Sequence, residues 1–250
     1  MLLAVAAMVA VAAAVRSTWS PCGLSMLSSI TPISERAKAH RYFATCAWFV
    51  LGAVVGGFTL GAVSAALAAA VSALGVTSGA AIALAAAALV TAAVSDAPGG
   101  PHLPFHRRQV NEDWLDDYRP WLYASGFGWQ IGVGLATYIM TAGVYALIVL
   151  GALTAQPAQA LALGALFGLV RGLAVLLSRN VRTPAQLLAL HRRFDRAAAP
   201  VRDAVVVVYA FGAVALIASA QWLLLAVAVA AGTAAAVAAE RRRSTAPQPA

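Results

Sequence analysis

Long apolar stretches separated by short polar connectors dominate the chain. About 20 apolar residues cross the hydrocarbon core of a bilayer as a helix, so these stretches predict six membrane spans. The spans run from Met1 to about Ile33, Tyr42 to about Val71, Val76 to about Val94, Trp121 to about Leu153, Pro157 to about Leu177, and from Ala204 onward. The pattern therefore predicts an all-α polytopic membrane protein.

The last apolar stretch does not fit a single span. Residues 204–239 carry no charge, and these 36 residues would extend roughly 54 Å as a helix, which is too long for one crossing and short for two with a turn. Gln221 and Trp222 could mark a bend or an interface. Six spans and seven spans both stay open.

The first apolar stretch is interrupted by RSTWSPCG, which contains Arg16, Pro21 and Cys22. The run before it has the length of the apolar region of a signal peptide, but no positively charged residue precedes it. Residues 1–15 alone would form a helix of only about 22 Å, too short to span. We therefore expect a retained first span whose helix is broken and continues past Pro21.

Composition agrees with a membrane protein, since 62% of the residues are hydrophobic and 10% are charged, with a mean hydropathy of +0.81. The net charge of +8 could indicate nucleic-acid binding. However, the basic residues lie in connectors between apolar stretches, where they usually set orientation in the bilayer. We therefore expect the lipid bilayer as a partner and no nucleic acid.

The distribution of basic residues predicts the topology. Three connectors carry twelve Lys and Arg residues, whereas the connectors SALGVTSG and TAQPAQ carry none. Because cytoplasmic loops are enriched in Lys and Arg, we expect a multi-pass protein of the cell membrane with its N-terminus outside. The twelve residues are Arg36, Lys38, Arg41, Arg107, Arg108, Arg119, Arg179, Arg182, Arg192, Arg193, Arg196 and Arg202. With six spans, the basic run 241–243 would lie outside, against this rule.

The connector 96–120 contains an acidic cluster of Glu112, Asp113, Asp116 and Asp117. Its i, i+4 spacing could be read as a carboxylate metal site. The spacing of Trp114, Leu115, Tyr118 and Trp121 favours instead a solvated amphipathic helix at the membrane interface. Two cysteines and four histidines show no metal-ligand spacing. We therefore expect no metal and no cofactor.

The two halves of the chain have the same span layout, which predicts two inverted three-helix repeats. The predicted units are a first repeat 1–95, a cytoplasmic connector 96–120, a second repeat 121–239 and a polar tail 240–250. WSPCGLSMLSSIT and WQIGVGLATYIMT are related by a constant shift of 110, which pairs Trp19 with Trp129 and Thr31 with Thr141. Interrupted helices at corresponding positions point to a central site.

The segment STWSPCGLSMLSSITP resembles the first transmembrane segment of the CcdA/DsbD family of cytochrome c biogenesis and thiol-reductant carriers, within the LysE-like exporter superfamily. The specific part of the resemblance is Ser20, Pro21, Cys22 and Pro32. The family has six core helices in two inverted repeats, with a second cysteine in the second repeat. Here the corresponding stretch reads GWQIGVG, with Ile131 and Gly132 in place of the family's proline and cysteine.

The resemblance and the interrupted helices together suggest a site. Cys22 is the candidate catalytic residue. Cys46 is not expected to pair with it, because the two differ in depth by roughly 9 Å. The candidate substrate-binding residues are Arg16, Trp19, Ser20, Pro21, Trp129, Gln130, Gly132 and Gly134.

Two arginines lie well inside apolar stretches, where charges are costly and often functional. No Asp or Glu lies inside any predicted span, so we expect Arg16 to bind an anionic group. Arg171 lies near the cytoplasmic end of its span and is expected to snorkel to the interface.

Three functions follow from these features. The leading expectation is a membrane carrier or transporter resembling CcdA/DsbD that moves a small, anionic solute or reducing equivalents. The second is thiol-disulfide electron transfer with an external thioredoxin-like or haem-maturation partner, supporting cytochrome c maturation. The third is a noncatalytic membrane scaffold, for which the fold is no counterargument. Only the second would make the protein an enzyme, a thiol-disulfide oxidoreductase.

Overall fold

A computed structural model describes the backbone of residues 1–101 and 118–244 and the side chains of residues 1–101 and 118–221. Within these residues the chain forms helices and no strand. The first half contains α1 (Leu2–Ser17), α2 (Pro21–Ser29), α3 (Pro32–Ala37), α4 (Tyr42–Ala73) and α5 (Ser78–Asp96). The second contains α6 (Pro120–Val133), α7 (Gly143–Leu153), α8 (Pro157–Leu173) with the 3-10 turn Ala174–Ser178, and α9 (Pro184–Ser244).

Four helical segments of the described residues are long and apolar enough to cross a membrane. They are α4, α5, α8 with its 3-10 turn, and the part of α9 up to Gln221. Helices α1 and α2 pass the same test together, and they would add a fifth span if the bent pair crosses as one. The all-helical prediction is confirmed, and these helices suit a multi-pass membrane protein. The six-span inverted repeat is not confirmed.

The predicted interruption of the first apolar stretch is observed, with a bend of 68° between α1 and α2. Ser20 is the N-cap of α2, and its side chain accepts a hydrogen bond from the Gly23 N–H. Pro21 occupies the first turn, where its missing N–H costs nothing. The dipeptide Ser-Pro is thus a helix start, and the chain turns because a second helix begins there.

The same signal occurs again at Thr31 and Pro32, where the predicted span continued without a break to about Ile33. Thr31 and Ser34 form a capping box at the start of α3, which satisfies two backbone donors reciprocally. Helix α2 therefore ends at Ser29, and the short helix α3 follows as a separate element.

The fourth apolar stretch, predicted as one span over 121–153, is two helices. Helix α6 ends at Val133, and its C-cap Gly134 has a φ of +71°, a conformation that glycine adopts without steric cost. Helix α7 begins at Gly143. The non-helical segment 134–142 overlaps WQIGVGLATYIMT, so an interruption of this stretch is observed as predicted.

The basic connector predicted before the last span is helical. Helix α9 begins at Pro184 and continues with Pro200 inside it, so Arg192, Arg193, Arg196 and Arg202 lie on a helix rather than in a loop. Alanine and leucine are abundant in this stretch and favour helix. The helix also continues through 221–222, where a bend was one of the alternatives. The acidic cluster 112–117 lies outside the described residues.

Helix α4 packs closely between α6 and α8. A Cβ atom at Gly56 would overlap the Trp129 carbonyl of α6, and one at Gly57 would overlap the Gly164 carbonyl of α8. Small residues allow helix backbones to approach at such interfaces. The glycines of GAVVGGFTLGA thus allow close packing of α4. This central helix holds α6, and so the start of segment 134–142, in a fixed position.

Candidate functional site

Among the described residues, three groups of buried and half-buried polar groups lie within the helical core. We call them the Arg16 cluster (Arg16, Asp96, Thr141, Arg202 and Tyr209), the Arg171 cluster (Arg171, Ser20 and the Ile131 carbonyl) and the Glu35 cluster (Glu35, His40, Thr45 and Tyr123). Each group joins elements that are distant in sequence. Charged groups at such positions are rare in apolar surroundings and are candidates for function.

The Arg16 cluster forms where α1 and α5 end. Asp96 is the last residue of α5, and one of its carboxylate oxygens accepts a hydrogen bond from the Thr141 hydroxyl. The other oxygen accepts from the Ala142 N–H at 2.9 Å. The Tyr209 hydroxyl of α9 lies 3.1 Å from the Thr141 hydroxyl. Asp96 thereby fixes the end of segment 134–142.

Gly143 allows this arrangement. A Cβ atom at position 143 would overlap the hydroxyl end of Tyr209. The first residue of α7 must therefore be glycine if Tyr209 is to reach Thr141. The cluster depends on a close approach between α7 and α9.

Arg16 is 8% exposed, and its Nη1 atom has no hydrogen-bond partner. It lines a cavity of about 270 Å³ together with Asp96, Arg202 and residues 138–140 of the non-helical segment. The expectation that no carboxylate is available to Arg16 is corrected by Asp96, which shares this cavity. Asp96 escaped notice because it is the terminal residue of its helix and was assigned to the connector.

The Arg171 cluster joins the two interrupted stretches. Arg171 Nη1 donates a hydrogen bond of 2.7 Å to the Ile131 carbonyl near the end of α6. Its Nη2 lies 3.5 Å from the hydroxyl oxygen of Ser20 at the start of α2. The guanidinium also lies over the Phe167 ring, 5.8 Å from its centre. One side chain therefore connects α2, α6 and α8.

The expectation that Arg171 snorkels to the interface is wrong. Arg171 is 2% exposed, because the Ile131 carbonyl and Ser20 receive its guanidinium inside the protein. Snorkelling needs a path to water along the helix surface. The helix breaks in the first and fourth apolar stretches present the Ser20 hydroxyl and the Ile131 carbonyl to Arg171, and these groups solvate the guanidinium in place of water.

The two cysteines are both buried, and neither forms a disulfide. Cys22 and Cys46 belong to one apolar cluster that also contains Ile131. Gly132 cannot carry a side chain, since a Cβ atom there would overlap the Ala53 carbonyl of α4. Position 132, where the CcdA/DsbD motif would have its second cysteine, therefore has no room for one in this structure.

The other residues predicted for the site are dispersed. Trp19 donates from its indole N–H to the Phe194 carbonyl at 2.9 Å. Trp129, its predicted counterpart, is 41% exposed and donates to the Thr59 hydroxyl at 3.1 Å. Pro21 and Gln130 are half-buried. The structure thus brings Ser20 next to the α6 end near Gly132 and Gly134, but it places Arg16 in a different cluster.

The Glu35 cluster was missed in the sequence. Glu35 is 1% exposed and accepts hydrogen bonds from the Thr45 hydroxyl at 2.5 Å and the Tyr123 hydroxyl at 2.7 Å. His40 Nδ1 lies 3.7 Å from its carboxylate. Glu35 stands among basic residues of a connector, so it looked solvent-exposed. The Thr31–Ser34 capping box was the signal that the chain folds back here.

Similar proteins are known under one name. The chain is 31% identical over 191 residues to methylamine utilization protein MauF of Paracoccus versutus, covering 73% of this chain and 68% of the relative. It is 31% identical to MauF of Paracoccus denitrificans, of which it spans 63%, and 27% identical to MauF of Methylorubrum extorquens, of which it spans 54%.

No protein-family model matches the chain, and no solved structure matches it. The relatives correct the interpretation of the SPC motif. They are named for methylamine utilization, so membership of the CcdA/DsbD family and the carrier function expected from it are wrong. The thiol-disulfide and scaffold alternatives gain no support from these names. The Ser20–Pro21 pair is explained instead by the start of α2.

Proposed function

Because the chain belongs to the MauF family of methylamine utilization proteins, we propose that it acts in a methylamine-utilization system as a multi-pass membrane protein. The observation that carries this proposal is the identity of 31% over 191 residues to a protein of that name. The match extends over 73% of the chain, so it includes most of the helical core rather than one motif.

We place this protein in the cell membrane with six spans. The bent pair α1–α2 would cross once, α6 and α7 would cross once as an interrupted span, and α4, α5, α8 and α9 would supply the other four. Supporting this arrangement, α6 and α7 contain 14 and 11 residues, each too short to cross alone. The basic connectors put the N-terminus outside.

Cysteine labelling tests the orientation. In a background with Cys22→Ser and Cys46→Ser, a cysteine at the exposed N-cap Thr77 should react with an impermeant maleimide added to intact cells. A cysteine at the exposed residue Gln186 should react only after the cells are opened. The reverse pattern would contradict the proposed orientation.

The Arg16 cluster is the site on which we expect this function to depend. Among the described residues, this is the cluster whose arginine lines a cavity and has an Nη1 atom without a hydrogen-bond partner. Arg171, by contrast, is committed to the Ile131 carbonyl. A group that is already bound within the protein is less available to a ligand.

Growth on methylamine tests the function. Deleting the gene in its source organism should abolish growth with methylamine as the sole nitrogen source and leave growth on ammonium unchanged. The wild-type gene and the exposed-surface variant Arg179→Gln should restore growth, whereas Arg16→Met should not, at equal membrane levels. Normal growth of the deletion strain on methylamine would contradict the proposal, and restoration by Arg16→Met would exclude the Arg16 cluster.

A further inference from the structure

Arg16 and Arg202 contribute two guanidinium groups to the cavity of about 270 Å³. Arg202 is 31% exposed and binds Asp203 with its Nη2 at 2.9 Å. The Nη1 atom of Arg16 is buried without a partner. A buried donor without an acceptor carries a desolvation cost. The cavity therefore contains a guanidinium nitrogen, Arg16 Nη1, that can still donate a hydrogen bond.

The carboxylates nearby are already bound. Asp96 accepts from Thr141 and from the Ala142 N–H, and Asp203 accepts from Arg202. Neither carboxylate satisfies the Arg16 Nη1 atom. The missing partner is an acceptor, and an anionic oxygen makes the strongest hydrogen bonds to a guanidinium.

An apolar groove of about 510 Å³ runs along α1 and α9, the two helices that carry these arginines. It is lined by Met8, Val11 and Val15 of α1 and by Val201, Val205 and Val208 of α9, among others. Val15 directly precedes Arg16, and Val201 directly precedes Arg202. The groove lining thus includes the sequence neighbour of each arginine.

The dimensions of the groove suit a hydrocarbon chain. From Met8 to Arg16 a helix rises about 12 Å, which corresponds to the upper part of one acyl chain. Val11 and Val15 are exposed on the surface of the protein, so a lipid could enter from the bilayer without unfolding a helix.

We propose that the Arg16–Arg202 cavity and the α1–α9 groove form one binding site for an anionic phospholipid. The phosphate accepts hydrogen bonds from Arg16 and lies beside Arg202, while one acyl chain fills the groove between Val11 and Val208. Basic pockets between transmembrane helices on the cytoplasmic side bind anionic headgroups in this way. The site rests on the proposed membrane placement, and it does not depend on the role in methylamine utilization.

Binding can be measured on the purified full chain by native mass spectrometry, with phosphatidylglycerol, phosphatidylcholine and inorganic phosphate as probes. We expect phosphatidylglycerol to be retained and phosphatidylcholine to be lost. Arg16→Met should weaken retention at least about tenfold, the loss expected for one hydrogen bond to a charged group. Arg202→Gln should weaken it less, because Arg202 is shared with Asp203. The exposed control Arg179→Gln should bind as the wild type does.

A second variant tests the groove separately. Val205→Trp places a large ring between α1 and α9 and should displace the lipid while both arginines remain. Inorganic phosphate that competes for the site, together with unchanged binding to Val205→Trp, would identify a free anion and overturn the lipid. Equal retention by Arg16→Met and the wild type would overturn the site altogether. If the protein binds the lipid but the deletion strain grows normally on methylamine, the lipid site is supported and the proposed function in methylamine utilization is wrong.

Discussion

Arg16 and Arg171 are both buried in the helical core, but their surroundings differ. Both terminal nitrogens of Arg171 face helix ends, at the Ile131 carbonyl and at Ser20, and its Nε is buried without a partner. Arg16 lines a cavity and leaves Nη1 without a partner. Burial alone therefore does not determine the role of an arginine in a membrane protein. Its hydrogen-bond partners separate a structural connection from a binding group.

The largest effect should come from Arg171→Met. This change leaves the Ile131 carbonyl and Ser20 without their charged donor, and we expect the free energy of unfolding to fall by about 2–4 kcal/mol. Arg16→Met should change it by less than about 1 kcal/mol, since replacing a poorly compensated buried charge by an apolar side chain is often neutral or stabilising. Thermal unfolding in detergent measures both. Equal losses would abolish the distinction between the two arginines.

The next effect concerns the glycine beside the Arg171 cluster. Gly132→Ala places a methyl group against the Ala53 carbonyl, and the required shift of α4 from α6 should cost about 1–3 kcal/mol. Gly143→Ala meets the movable end of Tyr209, so its cost should be smaller. Gly79→Ala, with open space around it, is the matched control. The fraction of each variant that stays monodisperse after heating ranks their stabilities. A larger loss of stability for Gly143→Ala than for Gly132→Ala would contradict the expected order.

A smaller effect is expected at Ser20. Ser20→Ala removes the N-cap of α2 and should cost about 1 kcal/mol. Thr77→Ala removes a comparable N-cap at the start of α5 that has no arginine beside it. Any excess loss at Ser20 reports the contact with Arg171, and the double variant Ser20→Ala with Arg171→Met should show non-additivity. Additive losses would mean that the contact at 3.5 Å contributes nothing.

The smallest effects should distinguish the two tryptophans. Trp19→Phe loses the hydrogen bond to the Phe194 carbonyl and weakens the ring contact at 4.9 Å, so we expect a loss of about 1 kcal/mol. Trp129→Phe loses a hydrogen bond at an exposed position and should cost less. Chemical denaturation followed by circular dichroism compares them. Equal losses would restore the equivalence suggested by the sequence, and a greater loss at Trp129 would reverse the expected order.

The helices were largely predictable because long apolar runs have one stable conformation in lipid. The start of α4 at Tyr42 and the interruption near Pro21 follow directly from the sequence. Helix-start signals were overlooked at Ser20 and Thr31, each followed by proline, and these would have placed the boundaries of α2 and α3. The predicted Arg16 and Ser20 are polar and buried, but nothing along the chain indicates that they belong to different clusters.

Other features depend on contacts between distant segments. Arg171 meets the Ile131 carbonyl only because α4 holds α6 and α8 close together, and no local pattern encodes that distance. Asp96 and Glu35 lie at the edges of apolar stretches, where a carboxylate is usually solvated. Tertiary packing supplies both with hydroxyl partners from distant segments, Thr141 for Asp96 and Tyr123 for Glu35.

The contact between Gly132 and the Ala53 carbonyl also limits how this protein can change. Because the opposing atom belongs to the backbone, no substitution at position 53 can make room for a side chain at position 132. A mutation at Gly132 must therefore be accompanied by a displacement of whole helices, which a single codon change cannot supply. Selection should retain glycine there for as long as α4 and α6 stay in contact, whatever chemistry the rest of the protein acquires.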